Sequence, residues 1–377
     1  MAINFTTMFL RADNNNLLKD VGMIPYMLHK RHGWKSVVAS YDNETEWQPL
    51  NKELKGLEHQ LVEKKYNSLL LDGLLYLSKH SKEIDILNIY HLVLGRSLIW
   101  AWFYKALNPK GRVYLKLDID FIGIEHDKSN GLYKKRIIKW LLKKIDIVSA
   151  ETAYSYNYMK EQYRLDNLIL VPNGYNLPEG YKFCDDIQSC KENIIFTAAR
   201  LGTRQKATEV LLKGFCQTLE KHDWKLVLAG TIEKEFENEL NAFYIEHPNA
   251  KNRVIYVGSI TDKSELWEYY KKAKIFIMAS RWEGFSLALV EAIANGCYPI
   301  VTENVISKEE ITNNRQFGLV INDAVVEDVK NGIIQGISSS DNPKQYGEIQ
   351  KYGLNTYSWD NIVDGLVSEF TKKFLYL

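Results

Sequence analysis

The chain has 377 residues, of which 46% are hydrophobic and 25% charged, with a formal net charge of +1. This composition is that of a globular protein, and the length favours two domains over one core. The small net charge argues against nucleic acid as a partner. The sequence has no apolar run long enough to cross a bilayer and no signal-peptide pattern at its start, so we expect a cytoplasmic protein.

The four cysteines are not spaced as metal ligands or as a redox CxxC pair. They are Cys184, Cys190, Cys216 and Cys297. In a cytoplasmic protein this pattern predicts reduced thiols.

Short apolar segments alternate with helical segments, which is typical of α/β folds with parallel sheets. The predicted strands are 36–40, 84–90, 113–117, 145–150, 193–199, 225–229, 254–257, 275–279 and 298–302. The turn-rich segment 171–180 separates the two halves. We therefore predict two Rossmann-like domains facing each other across a cleft. One covers 1–172 and is completed by a C-terminal helix over 357–377, and the other covers 173–356.

The most informative segment is 280–292, in which two glutamates eight residues apart follow the strand 275–279. Glu283 is predicted in the loop at the carboxyl end of this strand, and Glu291 in the helix that follows. This edge of an open α/β sheet binds ligands, and the free amide N–H groups of Gly284, Phe285, Ser286 and Leu287 suit an anion. A glutamate near a helix start can also serve the helix dipole alone. Glu291, however, is surrounded by apolar residues and needs a partner, which favours a ligand carrying phosphate and sugar hydroxyls.

Two cations, Arg200 and Lys206, follow the strand 193–199. A guanidinium fork with an ammonium point charge suits a diphosphate, although such a loop can also be merely solvated. Their position at the same sheet edge as the glutamates favours the diphosphate. The sequence contains neither a GxGxxG turn after its first strand nor a P-loop, which disfavours nicotinamide dehydrogenases and P-loop enzymes.

Together these segments resemble the GT-B glycosyltransferases of the retaining family 4 type over about residues 171–322. The matching segments are Val171-Pro172-Asn173-Gly174, Ala199-Arg200-Leu201 with Lys206, Leu228-Ala229-Gly230, Val257-Gly258-Ser259, the E-x7-E motif from Glu283 to Glu291, and the turn Asn295-Gly296-Cys297-Tyr298-Pro299.

The resemblance implies a role for each matching residue. Glu291 would bind ribose hydroxyls, Glu283 the transferred sugar, and Arg200 with Lys206 the leaving diphosphate. The amides of residues 284–287 and the loops of Gly230, Gly258 and Ser259 would complete the donor site. The resemblance further implies a nucleotide-sugar donor, with a UDP-sugar favoured, and neither a bound metal nor a cofactor.

The first domain resembles the family only weakly. Asn14 to Asn16 stand where a Gly-Gly loop is usual, and a tight loop is conceivable there because Asn tolerates left-handed backbone. Candidate acceptor-side residues are Asn16, His91 and Asp118, the last as part of a cluster with Lys116, Leu117 and Asp120. His91 can equally be a packed histidine at a strand end.

The segment 132–145 predicts an amphipathic helix. Lys135, Arg136, Lys139 and Lys143 share one face, and Ile138, Leu141, Leu142 and Ile145 share another. The basic face can meet an anionic membrane surface, or it can simply be solvated above a core-facing apolar side.

These features predict a retaining hexosyl- or N-acetylhexosaminyl-transferase that acts on a glycan or lipid-linked glycan in cell-surface polysaccharide synthesis. It would be cytoplasmic or peripheral on the membrane. Two alternatives stay open: a nucleotide-sugar epimerase or hydrolase on the same fold, and a non-catalytic subunit that binds glycan or a partner protein. The presence of all four charged residues, Arg200, Lys206, Glu283 and Glu291, argues against the last.

Overall fold

A computed structural model describes residues 2–91, 96–119, 121–342 and 344–374. The chain divides into two compact units. Unit 1 comprises Met1–Gly174 and Trp359–Leu377, and unit 2 comprises Tyr175–Ser358. Each unit is built on one parallel sheet with helices, which confirms the predicted α/β class.

The strands, in chain order, are β1 (Asn4–Met8), β2 (Lys35–Ser40), β3 (Glu58–Leu61), β4 (Ile86–Tyr90), β5 (Arg112–Leu117), β6 (Ile147–Ala150), β7 (Leu168–Leu170), β8 (Glu192–Ala198), β9 (Lys225–Ala229), β10 (Val254–Tyr256), β11 (Ala273–Met278), β12 (Tyr298–Thr302) and β13 (Leu319–Ile321). All nine predicted strands are present, with ends shifted by at most two residues. β1, β3, β7 and β13 were not predicted.

The α-helices, in chain order, are α1 (Asn14–Leu17), α2 (Asp20–His32), α3 (Gln48–Asn51), α4 (Leu69–His80), α5 (Arg96–Leu107), α6 (Phe121–Lys128), α7 (Leu132–Leu142), α8 (Ala153–Tyr163), α9 (Ile187–Cys190), α10 (Thr208–Cys216), α11 (Lys234–Glu246), α12 (Lys263–Lys272), α13 (Leu287–Ala294), α14 (Lys308–Ile311), α15 (Val326–Ser339), α16 (Lys344–Tyr357) and α17 (Trp359–Phe374).

The sheet of unit 1 has the strand order β3-β2-β1-β4-β5-β6-β7. The last helix, α17, packs against α2 and closes one side of this sheet. Its Phe370 ring stacks on Trp34 at 5.9 Å between centroids. On the surface, Arg31 Nη1 lies 2.8 Å from an Asp360 carboxylate oxygen, and Arg31 also pairs with Asp364. A segment more than 320 residues from α2 in sequence thus belongs to the core of unit 1.

Helix α7 contributes to the core of unit 1 on one side only. Ile138 and Leu142 are fully buried, as the predicted amphipathic pattern requires. On its other side Leu132, Tyr133 and Trp140 are 80%, 79% and 58% exposed. The exposed face of α7 is therefore partly apolar as well as basic.

The sheet of unit 2 has the order β10-β9-β8-β11-β12-β13. Helix α13, which carries Glu291, is apolar on nearly every side, and α16 packs closely against it. The contact passes through Gly353, where an added Cβ would lie 2.7 Å from the Ile293 carbonyl carbon and 2.8 Å from the Ala294 nitrogen. Backbone-to-backbone packing at this glycine fixes the position of α13.

The prediction that all four cysteines are reduced thiols is wrong. Cys184 and Cys190 form a disulfide, while Cys216 and Cys297 are free thiols. The short turn that ends in α9 brings the two Cα atoms to 6.6 Å, within the usual range for a disulfide. The region around Asn16 forms α1, capped by Asp13, and is not a tight left-handed loop.

We predict that Gly353→Ala lowers the free energy of unfolding by about 1–3 kcal/mol, because the new methyl group must push α16 away from the α13 backbone. The matched variant is Gly347→Ala on the same helix, where the nearest atom to the new Cβ is 3.9 Å away. This control should be neutral or stabilising by up to about 1 kcal/mol, since alanine favours helix. Urea denaturation of both variants is the measurement, and equal stabilities would contradict the packing argument.

Candidate active site

The loops that follow four neighbouring strands of unit 2 carry the predicted donor-site residues. Gly258 follows β10, Gly230 follows β9, Arg200 follows β8 and Glu283 follows β11, and these strands are adjacent in the order β10-β9-β8-β11. Because all of them run parallel, their carboxyl ends share one edge of the sheet. Ser259 is exposed in the loop after Gly258.

Gly230 holds three of these loops together. Its N–H donates to the Gly258 carbonyl at 2.8 Å, and its own carbonyl accepts from the Tyr256 hydroxyl at 3.1 Å. Its φ is +127°, and an added Cβ would lie 1.8 Å from the Ala199 carbonyl oxygen. Only glycine fits this position.

Lys206 and Glu283 form an ion pair between the loop after β8 and the loop after β11. Their side chains are only 13% and 15% exposed. Gln205 reinforces the connection, because its Nε2 donates to the Trp282 carbonyl at 3.1 Å while its Oε1 accepts from Arg200 Nη2 at 3.1 Å. Arg200, Lys206 and Glu283, all predicted as catalytic, therefore belong to one connected network.

Arg281 provides a second connection between the same two loops. Its guanidinium donates to the Arg204 carbonyl at 2.7 Å and pairs with Glu209 at 2.6 Å. Its backbone N–H donates to the Gln205 carbonyl at 2.8 Å. Sequence reasoning did not single out Gln205, Arg281 or Glu209, because no local pattern indicates contacts more than 70 residues apart.

The start of α13 offers free donors, as predicted. The helix begins at Leu287, and the side chain of the preceding residue, Ser286, makes no capping hydrogen bond. Within the described part of the chain, the N–H groups of Gly284, Phe285, Ser286 and Leu287 have no assigned acceptor. Such a group of amides at a helix N-terminus attracts an anion.

Glu291 lies in the second turn of α13, at the edge of the apolar core. Burial raises the pKa of its carboxyl, and the charge of Lys263 and the hydroxyl of Tyr270 partly oppose that shift. Both neighbours belong to α12. Within the described residues, no ion pair joins Glu291 to the Lys206–Glu283 pair.

The three predicted acceptor-side residues lie in separate elements of unit 1. His91 follows β4 with φ +60°, and its ring contacts that of Phe9 at 5.7 Å between centroids. Burial lowers the pKa of His91, and the charge of Asp20 opposes the shift. Asp118 is exposed after β5. Asn16 uses its Oδ1 to accept from the Asp13 N–H at 3.2 Å in the cap of α1. Asp120 lies outside the described residues.

Lys116 is the centre of a buried group of charges at the carboxyl edge of the unit 1 sheet. The sequence indicated the lysine but not its partners. Lys116 is fully buried, with its Nζ 3.1 Å from Glu151 and 3.6 Å from Asp20. It also donates to the Val171 carbonyl at 3.1 Å, while Asn173 donates to Glu151 at 3.0 Å. A lysine inside an apolar strand signals such a group, but its partners lie 96 and 35 positions away in the sequence.

The described ranges contain neither a metal-binding cluster nor a membrane-spanning helix. No cluster of three or more His, Cys, Asp or Glu side chains is arranged to hold a metal ion. No described helix has both the length and the apolarity needed to span a bilayer.

Residues 187–352 match the family described as glycosyl transferases group 1. The matched residues lie within unit 2. The chain is 26% identical over 213 residues to the N-acetylgalactosamine-N,N'-diacetylbacillosaminyl-diphospho-undecaprenol 4-alpha-N-acetylgalactosaminyltransferase of Campylobacter jejuni, covering 56% of this chain and 54% of the relative. It is also 26% identical over 212 residues to the glycogen synthase of Bacillus licheniformis, covering 55% and 41%. The chain thus spans about half the length of these curated relatives.

Solved structures resemble the whole chain. A glycosyltransferase from Rickettsia africae superposes with a TM-score of 0.76 at 15% identity, over 100% of both chains. The Anabaena protein HepE, solved in complex with UDP, superposes with a TM-score of 0.73 at 13% identity, over 99% of this chain and 100% of HepE. At these identities the likeness concerns the fold, and the predicted GT-B glycosyltransferase fold is confirmed.

We predict opposite pH dependences for two glutamates of unit 2. Folded Glu291 holds its proton above the unfolded value of 4.5, so the folded state binds more protons in the window above pH 4.5. Stability contributed by this proton is lost as pH rises through that window. The stability difference between the parent and Glu291→Gln should therefore fall with rising pH, by at most about 1.4 kcal/mol per pH unit.

Glu303 is the control of opposite sign. Burial acts to raise its pKa, but the hydrogen bond and charge of Arg315 outweigh burial and lower it below 4.5. Its contribution is present above pH 4.5 and is lost as pH falls through the lowered value, so the parent-minus-Glu303→Gln difference should rise with pH. Chemical denaturation across a pH series measures both slopes, and parallel slopes would contradict the assignment for Glu291.

Proposed function

We propose that this protein is a retaining glycosyltransferase that moves a hexosyl or N-acetylhexosaminyl group from a nucleotide sugar to a glycan or lipid-linked glycan. A UDP-sugar is the favoured donor, and cell-surface polysaccharide synthesis is the proposed setting. One observation carries the proposal: Arg200, Lys206 and Glu283 form one network at the sheet edge of unit 2, beside the free amides of α13.

The names of similar proteins support the donor and acceptor classes. The fold neighbour HepE was solved with UDP and with UDP-glucose. The name of the Campylobacter relative describes sugar transfer to a diphospho-undecaprenol carrier.

The chemistry follows from the charges of the network. Breaking the bond between the anomeric carbon and the phosphate oxygen leaves negative charge on the nucleoside diphosphate. Arg200, Lys206 and the amides of α13 are placed to stabilise this charge, which is greater in the transition state than in the bound donor. They would do so without a metal ion.

Glu283 has two states in this scheme. In the free protein it neutralises Lys206. When the donor binds, the diphosphate can take over Lys206, which leaves the Glu283 carboxylate to accept hydrogen bonds from hydroxyls of the sugar. Glu291, from the helix that also presents the amides, would accept hydrogen bonds from the ribose hydroxyls.

We predict that Arg200→Ala and Lys206→Ala each lower kcat by about 10²–10³ while changing KM much less, because both cations act on charge that develops in the transition state. Arg204→Ala, which removes an exposed cation from the same loop, is the matched control and should retain activity. Steady-state kinetics with a saturating acceptor, run with and without EDTA, is the measurement.

Three results would contradict parts of this scheme. If both variants raise KM and leave kcat unchanged, the two cations bind the donor but do not stabilise the transition state. Loss of activity in EDTA that is restored by a divalent ion would refute metal independence. Release of free sugar without transfer to any acceptor would favour the hydrolase alternative.

We also propose that the exposed face of α7 rests on an anionic membrane surface. It combines Tyr133 and Trp140, which suit the headgroup region, with the exposed cations Arg136 and Lys143. The Lys144 ammonium lies 5.8 Å from the centre of the Trp140 ring, so aromatic and basic groups are interleaved here.

Trp140→Ser is expected to weaken binding to vesicles that contain phosphatidylglycerol, because it removes an aromatic group from the interface. The matched control is Trp102→Ser, since Trp102 on α5 is 68% exposed. Replacing Arg136 and Lys143 by Gln should weaken the same binding, at about 1 kcal/mol per charge. Co-sedimentation is the measurement. Equal effects of Trp140→Ser and Trp102→Ser on vesicle binding would mean that α7 is a solvated surface helix.

A further inference from the structure

The loops after four neighbouring strands of unit 1 carry a second cluster of cations. Arg11 follows β1, Lys64 follows β3, and Arg96 begins α5 after β4. Tyr41 directly follows β2, the strand between β3 and β1. The sheet order β3-β2-β1-β4 therefore sets these strand ends side by side at the carboxyl edge, where open parallel sheets bind ligands.

Tyr41 lies at the centre of this cluster. The Tyr41 N–H donates to the Leu10 carbonyl at 3.0 Å. Since Leu10 directly precedes Arg11, this hydrogen bond keeps the start of the Arg11 loop beside Tyr41. The Lys64 ammonium lies 5.5 Å from the centre of the Tyr41 ring. The charges of Arg11 and Arg96 both act to lower the pKa of the Tyr41 hydroxyl, although burial and Asp72 raise it overall.

Arg96 is the most constrained of the cations. Its guanidinium lies over the Trp100 ring, 5.4 Å from the centroid. Its Nε is buried and has no hydrogen-bond partner among the described residues. Burial lowers the pKa of Arg96, and repulsion from the charge of Arg11 lowers it further.

Two carboxylates near this cluster already have other partners. Asp72 accepts hydrogen bonds from the Tyr41 hydroxyl at 2.8 Å and from the N–H groups of Tyr66 and Ser68 at 2.7 and 3.1 Å. Glu63 faces Lys79. Within the described ranges, Arg11, Lys64 and Arg96 form no ion pair with a carboxylate. Three cations at one edge of the sheet, none of them paired with a described carboxylate, favour binding of a multivalent anion.

We propose that Arg11, Lys64 and Arg96 bind the diphosphate of a lipid-linked acceptor. The assignment of the acceptor rests on the proposed transferase function, whereas the affinity for a diphosphate rests on the cluster alone. Two guanidinium forks and one ammonium match the several oxygens of a diphosphate ester better than those of a single carboxylate. The same chemistry could come from free diphosphate or from a phospholipid headgroup, and the experiment separates these sources.

The experiment is calorimetric titration of the full chain with saturating UDP present throughout, so that the donor site is occupied. The probes are farnesyl diphosphate, inorganic pyrophosphate and farnesol, with the two lipids in neutral detergent micelles. We expect farnesyl diphosphate to bind and farnesol not to bind. Arg11→Gln and Lys64→Gln should each weaken farnesyl diphosphate binding about tenfold, and Arg96→Gln more, because each removes charged hydrogen bonds.

The matched control is Lys30→Gln. Lys30 is also exposed and lies at 5.5 Å over a tyrosine ring, that of Tyr26, and this variant should bind the probe as the parent does. Arg11 and Lys64 are exposed, so their variants test the proposal even if Arg96→Gln does not fold.

Several outcomes would overturn the proposal. The first is an equal affinity for farnesyl diphosphate in the parent and in the Arg11 and Lys64 variants. The second is a parent that binds pyrophosphate but not farnesyl diphosphate. The third is that the variants lose only their binding to phosphatidylglycerol vesicles. The affinity for UDP, measured separately, should be the same in the parent and in the Arg11, Lys64 and Arg96 variants. A parent that does not bind UDP, but whose farnesyl diphosphate binding is weakened by the Arg11 and Lys64 substitutions, would refute the proposed UDP-sugar donor while leaving this site intact.

Discussion

Parallel pairing of every adjacent strand is the constraint on which both units depend. In the β1–β4, β8–β11 and other pairs the strands run in the same direction, so each chain segment must return by a helix before the next strand begins. The loops at the carboxyl edge then lead into helix N-termini, whose free N–H groups are donors. Anion-binding chemistry therefore gathers at one edge of each sheet, and glycines such as Gly230 let the loops there approach closely.

The Lys206–Glu283 pair gives the candidate donor site its resting state. Two opposite charges with side chains 13% and 15% exposed would each be costly if left alone. As a pair, they fix the positions of the two loops while no ligand is present. Hydrogen bonds from Gln205 and Arg281 also join the loop after β8 to the loop after β11. A ligand that carries both negative charge and hydroxyl groups can replace each half of the pair, which a simple anion cannot do. The proposed donor, a sugar diphosphate, is a ligand of this kind.

The sequence was most informative where a function is contained in one short segment. β11, the loop with Glu283 and helix α13 are consecutive, so periodicity and a helix stop were enough to predict them. β1 was missed because Thr6 and Thr7 are polar yet buried, and Asn88 of the neighbouring strand donates to the Thr7 hydroxyl. β3 is a polar edge strand. The sequence indicated Lys116 but not its partners Asp20 and Glu151, and it did not indicate the cations around Tyr41, because only the fold brings together residues from separate strands.

The return of α17 to unit 1 makes unit 2 an insertion within unit 1. During synthesis the continuous segment Tyr175–Ser358 leaves the ribosome complete, while unit 1 still lacks the helix that covers Phe5 and Trp34. Unit 2 is therefore able to fold first, and unit 1, although its synthesis begins earlier, must wait with an apolar surface uncovered. Folding of the N-terminal half is in this way tied to translation of the last segment of the chain.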